Sequence, residues 1–408
     1  MKILIIGKYP PIEGGVSAHT YWLARSLGEK GHEVMVVTNA WRVEEEYRAQ
    51  FDRKSQKVRS EYLPKNVTLY GFDDAMPGHI PYSEAYVTRL VNKALQAIEK
   101  QGADVVYVHY LEPYGTAALL LKKLTGVPYV IRHAGSDIYR LLKSPDLSLV
   151  LGRVLLNADR VLLTPSLHRM ADTMGISSRR VGSLPLRAMP PSFSQVGPRY
   201  DFNFTLNDDS PIIGYLGKAA KLKGLEEILE VCAATHPKVR LVLFTNGTLL
   251  PRLKEIVAND PWLSEHVRFF PFVPPWEVPS ILRSLDGLLH LENRFPIPIH
   301  SPQQPYEAIL CGTPLILSEE MKNKLRYAFP DIAGYVTTVQ DPTDSRELGE
   351  MLATFIEKKE ENHKKAAALA KLCPNDWDAQ VKEYEDALSL GSSGEMLRPL
   401  VSLFSKYF

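Results

Sequence analysis

The 408-residue sequence lacks several features that would place it in a simple class of protein. Its three cysteines, Cys232, Cys311 and Cys373, lie far apart and form no Cys-x-x-Cys pair, so we expect neither structural disulfides nor a zinc site. A formal net charge of +1 provides no basic field for nucleic acid. No cluster of carboxylates indicates a divalent metal. The sequence therefore predicts no metal, no other cofactor and no nucleic-acid partner.

Long hydrophobic runs are missing as well. The first apolar run, residues 3–6, is interrupted by Gly7 and Lys8, which makes it too short for a signal peptide. No run approaches the roughly 20 residues of a membrane-spanning helix. We therefore expect a cytoplasmic protein. The apolar, mildly basic C-terminal stretch "EMLRPLVSLFSKYF" leaves two alternatives open, peripheral contact with the inner face of a membrane or packing against the protein itself.

Strand-like and helix-like patterns alternate twice along the chain. The strand-like runs of the first half are "KILIIG", "EVMVVTN", "DVVYVH", "PYVIRH" and "DRVLLT". The stretch 187–210 is rich in Pro, Ser, Asn and Asp, and the alternation restarts after it at "PIIGYLG". This predicts two α/β domains with doubly wound parallel sheets, at 1–190 with a return helix at 376–408, and at 208–375. The charged stretch 41–61 indicates a solvated excursion without chemistry.

In each predicted domain, a glycine-containing loop follows the first strand. "KYPPIEGGVSA" places Gly14 and Gly15 where a strand passes into a helix, so an anion could meet unpaired backbone N–H groups there. A tight turn is the alternative. "GKAAKLKG" carries Lys218 and Lys223, which suit a pair of phosphates unless they are merely solvated. Neither loop has a Gly-x-Gly-x-x-Gly or P-loop fingerprint.

Two further loops carry ionisable side chains at predicted strand or helix ends. "HSPQQPYEA" places Glu307 in the first turn of a helix, where a carboxylate suits the helix dipole or accepts hydrogen bonds from a ribose. "RHAGSD" brings His133 and Asp137 together, and His109 ends a strand of the same domain. His133 and Asp137 form a candidate metal or acid–base pair, with a simple strand-end turn as the alternative. His109 lies at the same edge, although lone histidines are more often structural.

The order and spacing of these loops resemble the family-4 retaining glycosyltransferases, which have the GT-B fold of two facing Rossmann-like domains with a cleft between them. The resemblance spans nearly the whole chain and rests on "YPPIEGGVSAHTYWLARSLGEKGHEVMVVT", "DVVYVHYL", "RHAGSD", "GYLGKAAKLKG", "VRFFPFVPPWEVPSILRSLDGLL" and "PYEAILCGTPLIL". It implies transfer of a hexose from a UDP- or GDP-sugar to an acceptor hydroxyl. It further implies a role in glycan, cell-surface polysaccharide or glycoconjugate biosynthesis, with a glycan, lipid-linked or small-molecule acceptor.

The resemblance also implies a role for each candidate residue. Gly14 and Gly15 would hold the donor diphosphate from one domain and Lys218 and Lys223 from the other, with no metal needed because cations and helix dipoles stabilise the leaving group. His133 would contact the transferred sugar and complete the catalytic set with the two lysines. The remaining donor-binding candidates are Ser301, Gln304 and Glu307, and those of the acceptor or sugar pocket are His109 and Asp137.

This sequence departs from the family pattern at two points. Lys218 stands where arginine is usual, which keeps the charge but loses the bidentate fork. Ile299 stands eight residues before Glu307, where a second glutamate is common, and "SPQQPYE" is closer to a variant Ser-Pro-x-Lys-x-Phe/Tyr-Glu with Gln304 in place of the lysine. The donor sugar therefore stays open. The alternatives are another GT-B enzyme, such as a nucleotide-sugar epimerase or sugar phosphorylase, and a non-catalytic sugar-nucleotide-binding protein.

Overall fold

The computed structural model describes residues 1–40, 43, 45–52, 55–71, 86–135, 137–184, 188–204, 209–295, 302–326 and 328–391. The chain forms two compact units. The first consists of Met1–Glu44, Asp52–Ala188 and the chain from Asp376, and the second of Glu45–Phe51 and Met189–Asn375.

The strands of the described residues form two sheets, one in each unit. Those of the first sheet are β1 (Lys2–Ile6), β2 (Glu33–Thr38), β3 (Val67–Gly71), β4 (Val105–His109), β5 (Tyr129–Arg132), β6 (Arg160–Leu163) and β7 (Val181–Ser183). Those of the second sheet are β8 (Ile212–Lys218), β9 (Arg240–Asn246), β10 (Val267–Phe270), β11 (Gly287–His290), β12 (Leu315–Ser318) and β13 (Thr337–Val339).

Helices connect these strands and cover the sheets. In chain order they are α1 (Gly15–Glu29), α2 (Gln56–Tyr62), α3 (Tyr86–Gln101), α4 (Thr116–Thr125), α5 (Ser148–Asn157), α6 (His168–Thr173), α7 (Leu225–Thr235), α8 (Leu250–Ala258), α9 (Pro261–His266), α10 (Val278–Arg283), α11 (Gln304–Cys311), α12 (Glu319–Leu325), α13 (Ser345–Glu357), α14 (Lys359–Leu372) and α15 (Trp377–Gly391). None of these helices is both long and apolar enough to span a membrane.

Both sheets are parallel and doubly wound. Their strand orders are β3-β2-β1-β4-β5-β6-β7 and β10-β9-β8-β11-β12-β13, so the first strand of each unit lies inside its sheet. The chain leaves β1 and β8 toward one edge and returns to start the other half at β4 and β11. Ligands of such sheets bind beyond the carboxyl ends of the strands at this point of reversal. The predicted fold class of two parallel α/β domains is confirmed.

The strand predictions hold where burial is complete on both faces. β4 is buried along its whole length and β1 from its second residue, as their continuous apolar sequences predict. Two strands, β3 and β7, form the edges of the first sheet and were not predicted from the sequence. Each of these edge strands has only one fully buried residue, so its sequence carries little of the apolar pattern.

Two parts of the chain join a unit that is distant in sequence. α15 contacts α1, β4 and β5 of the first unit, and the Trp377 indole N–H donates to the Ser26 hydroxyl at 2.9 Å. The segment Glu45–Phe51 groups with the second unit, where the Gln50 N–H donates to the Phe272 carbonyl at 2.9 Å. Most described residues of 41–61 are partly or fully exposed, as predicted, but Glu45–Phe51 is not an excursion away from the fold. Composition does not reveal such a distant backbone partner. The C-terminal stretch proposed for membrane contact lies outside the described residues.

The packing of α15 generates a stability prediction. Leu388 on this helix is fully buried, so Leu388→Ala should lower the free energy of unfolding by about 2–5 kcal/mol through lost burial and an unfilled cavity. Leu124→Ala is the matched control, because Leu124 is 58% exposed on α4 of the same unit and should change stability by less than about 0.5 kcal/mol. Urea denaturation followed by circular dichroism measures both. Equal effects of the two substitutions would contradict the packing of α15.

Candidate functional site

The glycine loop of the first unit leads from β1 into α1. Gly14 has φ +115° in the region that favours glycine, and a Cβ at this position would have no neighbour within 4 Å. Gly15 begins α1 and is exposed. The first turn of α1 contains no acidic residue, and its N-cap residue Gly14 makes no side-chain cap hydrogen bond. The backbone N–H groups of this turn and the positive end of the helix dipole favour an anion.

His109 and His133 lie at the carboxyl ends of two neighbouring strands, β4 and β5. Both side chains are buried. The Gly135 N–H donates to Nδ1 of His133 at 3.0 Å, and the Thr164 N–H approaches Nε2 at 3.3 Å. A neutral imidazole accepts at only one nitrogen, so only one of these two backbone N–H groups donates to the ring at a time, and the Gly135 contact is the shorter.

Burial keeps both histidines neutral. Burial first and the Arg132 guanidinium second lower the pKa of His133 to about 4. The pKa of His109 lies well below its usual value because of burial first and then Arg132. At neutral pH these rings can therefore exchange hydrogen bonds with hydroxyl groups, but they supply no positive charge to a phosphate.

A polar cluster that the sequence analysis missed lies behind these histidines. The Nη1 of Arg132 lies 2.8 Å from Nε2 of His19 and donates to the hydroxyl of Tyr384 on α15. The rings of His19 and His109 meet edge to face, with centroids 5.2 Å apart. His19 lies about one helical turn after Gly15, so the helical period alone predicts that both residues lie on the same face of α1. Tyr384 offered none, because its contact spans 252 residues of sequence.

Asp137 anchors the loop that follows His133. Its carboxylate is fully buried and accepts hydrogen bonds from the backbone N–H groups of Ala134, Ile138 and Leu111 at 3.0–3.2 Å. Burial raises the pKa of Asp137 to about 6, although these backbone donors oppose the rise. The carboxylate is thus directed to the backbone and not to solvent, and it holds the conformation of the loop that follows His133.

The lysine loop of the second unit runs from the end of β8 to the start of α7. Lys218 is exposed, and its ammonium lies 4.9 Å from the centre of the Tyr47 ring. Lys223 is partly buried and lies immediately before Gly224, the N-cap of α7. Gly224 has φ +73°, and a Cβ there would lie 2.6 Å from the Cβ of Leu291, so only glycine fits. The first turn of α7 is acidic, so the lysines rather than the helix terminus supply the positive charge here.

Glu307 lies in the first turn of α11, as predicted. It is buried, and the side-chain N–H of Gln303 donates to its Oε1 at 2.9 Å, a partner that the sequence analysis did not single out. Gln304 is the first residue of the same helix and is half-buried. Ser301 and Ile299, the positions at which the donor-sugar prediction is most open, lie outside the described residues.

A cavity of the second unit lies beside Lys218. Asn246 is the last residue of β9 and pairs with Lys218 of β8. It forms one wall of the cavity, and the chain after β10 forms another. The remaining wall comes from the segment Glu45–Phe51, and the lining residues are Glu45, Glu46, Arg48, Gln50, Asn246, Pro271 and Phe272. In the described part of the chain, no group of three His, Cys, Asp or Glu residues is placed to hold a metal ion.

Comparison with known proteins places this arrangement in a family. Residues 14–186 match the glycosyl transferase 4-like domain, and residues 198–371 match the glycosyl transferases group 1. An uncharacterized glycosyltransferase of Methanocaldococcus jannaschii, MJ1178, is 26% identical over 149 residues. That segment spans 35% of this chain and 35% of the relative, well short of its full length.

Solved structures match nearly the whole chain. Sucrose-phosphate synthase of Thermosynechococcus elongatus has a TM-score of 0.63 at 16% identity, covering 95% of this chain and 98% of that one. HepE of Anabaena, in complex with UDP-glucose, has a TM-score of 0.63 at 14% identity, covering 95% of this chain and 100% of that one. At such low identity these likenesses establish the fold alone, which is the two-unit GT-B class. The two family matches together span most of the chain, and it belongs to the GT-B glycosyltransferases with a 4-like and a group 1 domain.

The buried His133 predicts a specific dependence of stability on pH. Its pKa of about 4 in the folded chain lies below 6.5, so the unfolded chain binds the proton first as pH falls. Its contribution to stability is therefore complete above pH 6.5 and is lost between pH 6.5 and 4, by about 3 kcal/mol. His133→Gln should flatten the fall in unfolding free energy over this range by a comparable amount, as measured by urea titrations at each pH. An unchanged pH slope would contradict the buried, neutral state of His133.

Proposed function

We propose that this chain is a retaining, metal-independent glycosyltransferase that moves a hexose from a UDP- or GDP-sugar to an acceptor hydroxyl. The observation that carries the proposal is the second-unit loop with Lys218 and Lys223 at the carboxyl end of β8, next to the strand β11 at which the sheet reverses. Two ammonium groups at this edge suit a diphosphate. A solved GT-B neighbour binds UDP-glucose, which is consistent with such a donor.

The second unit also offers places for the rest of the nucleotide. Glu307 lies at the start of α11, where its carboxylate can accept hydrogen bonds from ribose hydroxyls. The cavity that includes Pro271 and Phe272 lies in the stretch whose sequence resembles the segment beneath the nucleoside base. We assign the base to this cavity and the diphosphate to Lys218 and Lys223. Gln304 and Ser301 stay donor-binding candidates on the strength of the family resemblance.

The chemistry that follows from this assignment needs no metal ion or enzyme nucleophile. The bond between the anomeric carbon and the diphosphate oxygen breaks, and the acceptor oxygen forms its bond on the same face of the sugar. The acceptor proton passes to the leaving phosphate oxygen. Lys218 and Lys223 offset the negative charge that grows on the diphosphate, which lowers the barrier because the charge develops only in the transition state.

We assign complementary roles to the first unit. The N–H groups at Gly14 and Gly15 suit a phosphate oxygen, because the α1 terminus has no competing acidic residue in its first turn. His133 is neutral, so its ring suits a sugar hydroxyl better than a phosphate. His109 at the end of β4 and the loop anchored by Asp137 belong to the same edge of the sheet, and we place the acceptor or sugar pocket there.

The proposal as a whole is tested by product analysis. The chain is incubated with UDP- and GDP-hexoses and a panel of sugar, lipid-linked and small-molecule acceptors, after a thermal-shift screen selects the donors that stabilise it. Proton NMR should find the donor's anomeric configuration retained in the product, and excess EDTA should leave the rate unchanged. Inversion of configuration or loss of activity with EDTA contradicts the mechanism. Donor binding without transfer or hydrolysis for any acceptor would favour a non-catalytic binding protein.

The role of Lys223 gives a residue-level prediction. Lys223→Ala should lower kcat/KM by about a hundredfold or more, the size expected for removing a key donor to a developing anion. Lys221→Ala is the matched control, since Lys221 is an exposed lysine of the same loop, and its kcat/KM should stay within about twofold. Steady-state kinetics with the true donor measures both. Near-native turnover by Lys223→Ala would show that the diphosphate lies elsewhere.

A further inference from the structure

A buried carboxylate lies directly behind the lysine loop. Glu292 follows β11, and its side chain is fully buried. Its Oε2 forms an ion pair with the ammonium of Lys223, and its Oε1 lies 3.2 Å from the ammonium of Lys324 on α12. The two strands that lead into this contact, β8 and β11, are neighbours at the reversal point of the sheet. The ion pair therefore joins the two sides of the proposed donor site within the second unit.

The surroundings of this ion pair restrict the lysines further. The ammonium groups of Lys223 and Lys324 lie 5.0 and 5.4 Å from the centre of the Phe295 ring. Lys324 also contacts Glu320 at 2.6 Å, so two lysines face two carboxylates around one aromatic ring. We call Lys223, Lys324, Glu292, Glu320 and Phe295 the lysine–glutamate cluster.

The side chains of Lys223 and Glu292 differ in their exposure to solvent, so only one of them can contact a ligand. The Glu292 side chain is 0% exposed and cannot meet a ligand, whereas the Lys223 side chain is 18% exposed and connects the buried carboxylate to the loop surface. An ammonium has three N–H donors, so Lys223 can donate to Glu292 and to a phosphate oxygen at once. An effect of Glu292 on the ligand must therefore pass through the lysine.

We propose that Glu292 is a positioning residue for donor binding: its buried carboxylate holds the Lys223 ammonium in the place where it meets the diphosphate. This inference rests on the proposed function. It also supplies a carboxylate role in the donor site that is distinct from the acid missing at position 299, because Glu292 acts on the lysine and not on the sugar.

The physical reason lies in the flexibility of lysine. A free lysine side chain has four rotatable bonds, and a ligand that immobilises it must offset the loss of rotamer entropy. An ammonium already held by Glu292 and bordered by Phe295 has lost that freedom before the ligand arrives. Glu292 therefore strengthens diphosphate binding although it adds a negative charge to the neighbourhood.

Charge alone predicts the opposite effect of Glu292→Gln on nucleotide affinity, so measuring this affinity distinguishes the two explanations. If Glu292 only competed with the diphosphate for Lys223, its neutralisation would free the lysine and tighten binding. If it positions Lys223, Glu292→Gln leaves two ammonium groups around a neutral amide, and their repulsion moves Lys223 away from its place. Binding then weakens.

Isothermal titration calorimetry of the full chain with UDP and with GDP measures this difference. For whichever nucleotide the unmodified chain binds, Glu292→Gln should raise Kd by about tenfold. Glu320→Gln is the matched control, because it removes the same charge from the lysine–glutamate cluster but has no contact with Lys223 in the described structure. Its Kd should stay within about twofold. Unchanged or tighter binding by Glu292→Gln, or equal weakening by both variants, overturns the proposal.

A double-mutant cycle separates positioning from a general structural effect. In a Lys223→Met background, Glu292→Gln should cause no further loss of nucleotide affinity, because the residue through which it acts is gone. The same tenfold loss in both backgrounds would overturn the proposal. If Glu292→Gln alone does not fold by circular dichroism, Glu292→Asp replaces it, since it keeps the charge but shortens the reach by one methylene. An affinity equal to that of the unmodified chain would then count against positioning.

The outcomes also distinguish this inference from the proposed function. If Lys223→Met weakens nucleotide binding and Glu292→Gln does not, the function stands and the role of Glu292 is wrong. If the unmodified chain binds neither UDP nor GDP, the proposed function fails, and the inference fails with it.

Discussion

The burial of two parallel sheets on both faces is the constraint on which the rest of this structure depends. A parallel strand cannot return through a tight hairpin, so the chain crosses each sheet by a helix or longer connection and re-enters it from the same end. All strand ends of one polarity therefore meet at one edge. The glycine loop, His109 and His133 therefore lie at one edge of the first sheet, and the lysine loop meets Glu292 at the corresponding edge of the second.

The two units differ in the partners of their buried ionisable side chains. In the second, Glu292 is fully buried but is paired with two lysines, as a buried carboxylate must be to remain ionised. In the first, the Arg132 guanidinium contacts His19 and Tyr384, and the neighbouring histidines stay neutral. The first unit thus offers neutral hydrogen-bonding groups beside a helix terminus, and the second offers cations.

Sequence reasoning succeeded where the signal was local. The buried strands, the start of α1 at the glycine pair and Glu307 in the first turn of α11 were all predictable from apolar runs and from glycine and proline positions. It missed the edge strands β3 and β7, whose partial exposure weakens their pattern. It also missed the docking of Glu45–Phe51, because a backbone hydrogen bond to Phe272 leaves no trace in the composition of either segment.

The amino-acid sequence by itself determined the two-domain α/β class, the bare glycine loop and the two candidate lysines, since periodicity and turn chemistry act over a few residues. Only the tertiary structure decided which charges meet. Lys223 and Glu292 are 69 positions apart, and Arg132 and Tyr384 are 252 apart. Such pairs depend on which strands become neighbours and where a distant helix packs, because an ion pair or a hydrogen bond forms only between groups that the whole fold brings within a few ångströms.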